Sequence, residues 1–413
     1  MAADAPAAAG PSANTAIAAV MLFLLTALLG LQPLSTDLYL PSLPAIGAHF
    51  DALPVAVQST LSVFMLGFAV SQLVVGPMSD RFGRRPVVLA GLTTFVLASL
   101  AGALAPDLGW LVGARLLQSI GVCCTVLCAR AVVRDLYEPE AGTRVMARAM
   151  GWMGLVTLTG PMVGGALQAL LGWRATFAML ALVGGAVLVT ATRVLGETNA
   201  HRNPKATRPR ELGANYAAIA RSATFRAFAL AATASYMSLF SFISGSSFLL
   251  IDVLGLQPAL YGVVFGSVTL GFMTGTLLTR RFEPVLGIAG TAAAGGAVSA
   301  LAGWTMAALA IAGVASVPAV VVPMFFVLVG HGLVQPSGMI GAISGFPRNA
   351  GAAAALLGFA MFIAAAVTGW WVGASHDGTT LPLAITIAAI TTLTATAGAR
   401  LVRMEQRRKG LAG

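Results

Sequence analysis

Long apolar stretches separated by short polar ones dominate this chain. A helix needs about 20 apolar residues to cross a bilayer, and runs of that length fall at roughly 16–38, 55–78, 86–105, 110–132, 145–170, 174–195, 224–251, 258–279, 285–312, 316–340, 351–373 and 380–401. Only 9% of the 413 residues are charged and 58% are hydrophobic, with mean hydropathy +0.88. Soluble domains carry about 25% charged residues. The pattern predicts an all-α integral membrane protein of twelve transmembrane helices. So little chain remains outside these runs that the chemistry must lie within the membrane.

The longest polar stretch, Glu197–Arg221 with Pro204 and Pro209, divides the runs into two sets of six. The expected organisation is a disordered cytoplasmic tail over 1–15, a six-helix bundle over 16–195, a linker over 196–223, a second bundle over 224–401 and a basic tail over 402–413. Leu66-Gly67-Phe68 in span 2 recurs as Leu270-Gly271-Phe272 in span 8, a faint internal repeat. Paired six-helix halves are how pseudosymmetric transporters place a substrate site near mid-bilayer.

The net charge of +10 gives no sign of nucleic-acid binding, because the basic residues are segregated. They follow spans 2, 8 and 10, surround the span 4–5 loop, fill the linker and close the chain. Only Arg115 and Arg174 fall on the other side. The positive-inside rule then puts both termini in the cytoplasm. The Arg-rich linker is also suited to touching anionic lipid. Cys123, Cys124 and Cys128 all sit in span 4, with no disulfide framework and no metal-ligand pattern. The first 15 residues lack the basic n-region of a signal peptide.

Asp37 is the only acid expected inside the apolar part, and Arg115 the most deeply placed cation. Ionisable groups in hydrocarbon are costly and read first as functional. Two other readings stay open: an outer-end cap for Asp37, and a structural donor to neighbouring carbonyls for Arg115.

The loop after span 2 reads Gly76-Pro77-Met78-Ser79-Asp80-Arg81-Phe82-Gly83-Arg84-Arg85-Pro86. Gly76 permits close packing, Pro77 shapes the helix end, Gly83 allows a tight turn, and Pro86 suits the start of the next helix. This stretch resembles the signature loop G-x-x-x-D-R-x-G-R-R of major facilitator transporters. The resemblance implies a cytoplasmic latch of Gly76, Asp80, Arg81, Gly83, Arg84 and Arg85, with Asp135 as an arginine partner. Gly160, Pro161, Gly164 and Gly165 in span 5 resemble the antiporter motif of drug exporters in that family. Val156 replaces its leading glycine, with Gly154 nearby.

Ser35-Thr36-Asp37-Leu38-Tyr39-Leu40-Pro41-Ser42-Leu43-Pro44, Arg115-Leu116-Leu117-Gln118-Ser119-Ile120-Gly121 and Val133-Arg134-Asp135 together resemble the bicyclomycin/chloramphenicol-resistance (Bcr/CflA) subfamily of drug:proton antiporters. Ser119 replaces a glycine of the broader exporter pattern. Positions 22–36 lack the second, deeper acid of some relatives, which weighs against two-proton coupling. The resemblance implies a monomeric bacterial inner-membrane exporter of small, largely apolar drugs such as amphenicols. It would use the proton gradient and no cofactor, with Asp37 and Arg115 coupling protons to drug. The alternative is proton-coupled export of a metabolite such as an amino acid or sugar.

A cavity for such a solute should be apolar and aromatic with a few polar groups. The candidates are Tyr39, Phe64, Phe68, Arg115, Tyr236, Phe240, Ser241, Phe265, Phe272, His331, Gln335 and Phe359. No P-loop or catalytic constellation appears, which disfavours ATP-driven pumping and enzyme activity. Short loops disfavour a sensor.

Overall fold

In the computed structural model, the described residues are 11–410 apart from His201 and Lys205. Thirteen α-helices carry them: α1 Pro11–Asp37, α2 Leu43–Phe50, α3 Pro54–Phe82, α4 Arg84–Ala103, α5 Leu108–Leu136, α6 Pro139–Leu171, α7 Arg174–Val194, α8 Pro209–Arg221, α9 Ala223–Ser247, α10 Pro258–Ile311, α11 Val317–Ile343, α12 Ala350–Ala374 and α13 Leu381–Gly410. Among the described residues, eleven helices are long and apolar enough to span a membrane. One serves twice. The 54 residues of α10 would extend about 80 Å if straight, against a hydrocarbon core about 30 Å thick. Its one non-helical residue is Gly287, at φ 69°, so the chain turns there rather than at 280–284. Twelve crossings result.

Several boundaries differ from expectation. α1 begins at Pro11 and α13 runs to Gly410, so part of each expected tail is helical; residues 1–10 and 411–413 of those tails lie outside the described residues. The linker contains α8. Pro77 lies inside α3, which continues to Phe82. Membrane helices tolerate such prolines when neighbours satisfy the freed carbonyl. Span 1 ends in a 3-10 turn over Leu40–Ser42 followed by α2, each with a proline in its first turn. α9 continues as a π-helix over Phe248–Val253. That turn carries a second acid, Asp252, which is exposed.

Bilayer helices gain little from hydrophobic burial against one another, so close packing at small residues holds them. Gly67 on α3 abuts Ser119 and the Leu116 carbonyl of α5, and Gly271 on α10 abuts the Phe325 carbonyl of α11. The repeated Leu-Gly-Phe thus marks the same seam in each half: second helix against fourth. The halves also meet along pseudosymmetric pairs, α3 with α12 and α6 with the first part of α10. In the α10–α11 seam, Gly275 faces the Val329 carbonyl and Gly332 faces the Thr276 amide. A side chain there meets main chain, which cannot yield. Gly332→Val is expected to cost about 1–3 kcal/mol by overpacking, measured as a lower thermal-unfolding midpoint of the detergent-solubilised protein, whereas Gly185→Ala, which faces open space, does not lower it.

Candidate functional site

The last turn of α1 bonds inward on itself. Ser35 Oγ donates to the Leu31 carbonyl, and the Thr36 hydroxyl lies 3.0 Å from both the Pro33 carbonyl and Asp37 Oδ1. Asp37 is only 3% exposed, so it is not a water-facing cap. Its Oδ2 is buried without a hydrogen-bond partner.

Asp37 lies on the wall of a cavity of about 160 Å³ between the two halves. Gln32, Thr36, Asp37, Met65 and Thr157 come from α1, α3 and α6. Tyr236, Leu239, Ile243, Phe265, Thr269, Phe272, Leu328 and His331 come from α9, α10 and α11. The walls are mostly apolar and aromatic, and the polar groups converge. Among the described residues, the Gln32 amide and the Tyr236 hydroxyl also have no side-chain partner. His331 Nδ1 sits 2.8 Å from Ser235 Oγ and 3.1 Å from the Ser235 carbonyl. A carbonyl only accepts, so the contact with the Ser235 carbonyl is a hydrogen bond when Nδ1 carries a proton. The ring packs near Phe272 and Tyr236.

Asp37 and Arg115 do not form the expected pair. The described ion pairs join Arg84 to Asp80 and Asp135, Arg202 to Glu197, and Arg208 to Glu211. Arg115 is fully buried, its guanidinium 4.7 Å from the Tyr39 ring and 4.3 Å from the Phe64 ring. Its Nη1 donates to the Ser35 carbonyl at 3.0 Å and to Gln118 Oε1. Helix face explains the difference. Two residues along a helix is about 200° of rotation. The Ser35 carbonyl therefore meets α5 while Asp37 meets α6 and the cavity. Arg115 fixes α1 to α5 through a charge-assisted hydrogen bond and two aromatic faces.

Of the other expected cavity residues, Tyr236, Phe265, Phe272 and His331 line this space. Tyr39 instead bonds Thr60, and Phe64 covers Arg115. Phe240 packs by Gly369. Ser241 donates to the Met237 carbonyl of its own helix, and Gln335 reaches Met361 Sδ. Phe68 meets Phe362, whose ring lies 5.3 Å from that of Tyr236. Phe359 is elsewhere on α12, one turn before Phe362. Nothing in an apolar run of even spacing favoured Phe362 over Phe359.

The span 5 glycines explain how α1 and α6 close on this site. Gly160 faces the Asp37 Cβ, Gly164 the Leu38 carbonyl, and Gly165 the Pro258 carbonyl of α10. The motif is therefore a three-way seam joining the acid's helix to the opposite half.

In the span 2–3 loop motif, Arg84 Nη1 lies 2.6 Å from Asp80 Oδ1 and its Nε donates to Asp135 Oδ2 at 3.0 Å. Gly83 adopts φ 106°, a region that favours glycine. Gly76, expected to pack closely, has open space beside it. Sequence reasoning missed the linker's part. Glu197 Oε1 accepts from the Arg84 amide at 2.9 Å, and its carboxylate sits against Gly83. Asn199 Nδ2 and the Asn203 amide donate to the Asp80 carbonyl. Arg85 donates to the Leu195 carbonyl and Arg81 to Thr207 Oγ1. An acid just after span 6, in a basic stretch, was the available signal.

Partial burial opposes ionisation of Glu197, but the amides of Asn199, Arg84 and Arg85 and the charge of Arg202 outweigh it and hold the carboxyl below the usual range. A depressed carboxyl stabilises the folded state above its unfolded pKa and loses that contribution as pH falls through the folded value. Linker docking should therefore be firm at neutral pH and loosen under acid conditions. Glu197→Gln should loosen it at neutral pH, read as faster tryptic cleavage after Arg202 than in wild type.

A profile of the Major Facilitator Superfamily matches residues 15–369. The chain is 26% identical over 359 residues to a bicyclomycin resistance protein homolog of Haemophilus influenzae, covering 87% of this chain and 90% of that protein. It is 29% identical over 349 residues to multidrug resistance protein D of Escherichia coli, covering 82% and 84%. A solved bacterial homolog of the human lysosomal transporter Spinster, inward-facing and occupied, superposes with TM-score 0.71 at 16% identity over 97% of this chain and 98% of that one. The chain belongs to the Major Facilitator Superfamily.

Proposed function

We propose that this chain is a proton-coupled drug exporter of the bacterial inner membrane, acting as a monomer with both termini in the cytoplasm. One observation carries the reading: Asp37, on the wall of a cavity shared by both halves, has a buried oxygen without a partner. A proton on that oxygen removes the charge and supplies a donor. A bound solute that donates to the same oxygen competes with the proton. Proton uptake from outside would then favour release of the solute, and proton loss inside would favour the next loading. The relatives' names, bicyclomycin and multidrug resistance, support a drug as the solute. The cavity walls include no lysine or arginine, which suits neutral compounds such as amphenicols and disfavours anions. Arg115 supports coupling indirectly, by fixing the helix that carries Asp37.

The size of the cavity favours one second reading. Its volume of about 160 Å³ is below the range of roughly 300–1,000 Å³ usual for drug-sized ligands. A drug would need the halves to part further, whereas a small metabolite would fit as the cavity stands.

In a pump-deficient bacterium, wild type should raise resistance to amphenicols, and Asp37→Asn at matched membrane levels should return it to the vector background. Asp37→Asn should also abolish drug uptake driven by a pH gradient in inverted vesicles while retaining equilibrium exchange. Gradient-driven uptake by Asp37→Asn would sink the coupling role. Absence of resistance to every drug class, with folded protein present, would select the metabolite exporter.

A further inference from the structure

At one edge of the second half, α9 and α13 leave a cleft of about 260 Å³ between them. Its floor is apolar: Ala227, Leu230, Ala397 and Met404. The cleft exists because three alanines face it where bulkier residues would fill it. Ala227 and Ala397 also back onto the packed cluster of Ala231, Ala292, Val334 and Leu401, so the floor is anchored in the bundle. Leu230 remains 37% exposed. Two arginines, Arg226 from α9 and Arg400 from α13, border this floor and are exposed. Among the described residues, neither guanidinium makes a hydrogen bond or an ion pair. The cleft also includes Ala223, the first residue of α9, so the positive end of that helix dipole adds to the two guanidinium charges.

We propose that this cleft binds an anionic glycerophospholipid, its phosphate held by Arg226 and Arg400 and its upper acyl chain lying over Ala227, Leu230 and Ala397. The chemistry singles out this occupant. Guanidinium groups match phosphate oxygens in bidentate fashion, and basic pockets between membrane helices at the cytoplasmic face take anionic headgroups. An apolar floor directly beneath two unpaired cations suits a molecule that is anionic at one end and hydrocarbon at the other. A soluble anion would leave Leu230 and Met404 uncovered. The lipid would bridge the helix that follows the linker to the last helix of the chain, clamping the edge of the second half.

Native mass spectrometry and thermal unfolding of the purified full chain, with added phosphatidylglycerol, phosphatidylcholine or glycerol 3-phosphate, test this. In wild type, phosphatidylglycerol should give a bound adduct and raise the unfolding midpoint, and the other two should not. Arg226→Gln/Arg400→Gln should lose the adduct and the shift. Arg226→Lys/Arg400→Lys should retain part of both, which separates lost binding from a misfolded variant. Arg403→Gln/Arg407→Gln, with the same total charge as the glutamine pair, should behave as wild type. Equal binding of phosphatidylglycerol by the Arg226/Arg400 glutamine variant, equal loss in the Arg403/Arg407 variant, or an equal shift from phosphatidylcholine would overturn the site. A shift from glycerol 3-phosphate alone would overturn the lipid and leave a soluble-anion site.

Discussion

The main chain of α6 passes α1 at Gly164 so closely that no side chain fits against the Leu38 carbonyl. One residue back along α1 is Asp37. One residue on along α6, Gly165 meets Pro258 of the opposite half. Helix contact in a bilayer draws on van der Waals packing and polar bonds rather than on expulsion of water. Direct main-chain approach is how this protein obtains it. The acid is therefore held against a backbone seam that also joins the two halves. Asp37 thus sits beside the place where the halves touch, with Gly160 rather than a larger side chain against its Cβ.

Much of this was legible from residue types. Twelve apolar runs gave the crossing count, and the glycines of span 5 marked a seam that the coordinates place between α1, α6 and α10. What escaped the sequence was rotation about each helix axis. A run that is apolar all round has no polar face to show which side looks inward. Asp37 and Arg115 point to different neighbours, because Ser35 and not Asp37 faces α5. Phe359 and Phe362 lie one turn apart on α12, and only position on the helix decides that Phe362 meets Phe68 and Tyr236. Where polar residues are sparse but charged, as in Asp80-Arg81-Phe82-Gly83-Arg84, type and spacing located the local contacts. Their longer-range partner, Glu197, is separated by four helices.

The linker is more than a tether. Glu197, Asn199, Asn203 and Thr207 occupy the donors and acceptors of the span 2–3 loop one by one. Before α8 begins, the chain that leaves the first half has been fastened back onto it. α8 then bonds α3 through the Tyr216 hydroxyl and the Leu73 carbonyl. The free length between the halves is far shorter than the polar stretch suggests.

The two contact pairs between the halves differ in extent. Along α3 and α12, glycine contacts run from Gln58 with Gly373 to Gln72 with Gly358. Between α6 and α10 they run from Leu158 with Gly266 to Gly165 with Pro258, a shorter segment toward the Pro258 end of α10. A longer seam on one side and a shorter one on the other resemble an axle and a door. Such a body swings more readily than it separates. If the halves rock against each other, a path open to both compartments at once would require the axle itself to part.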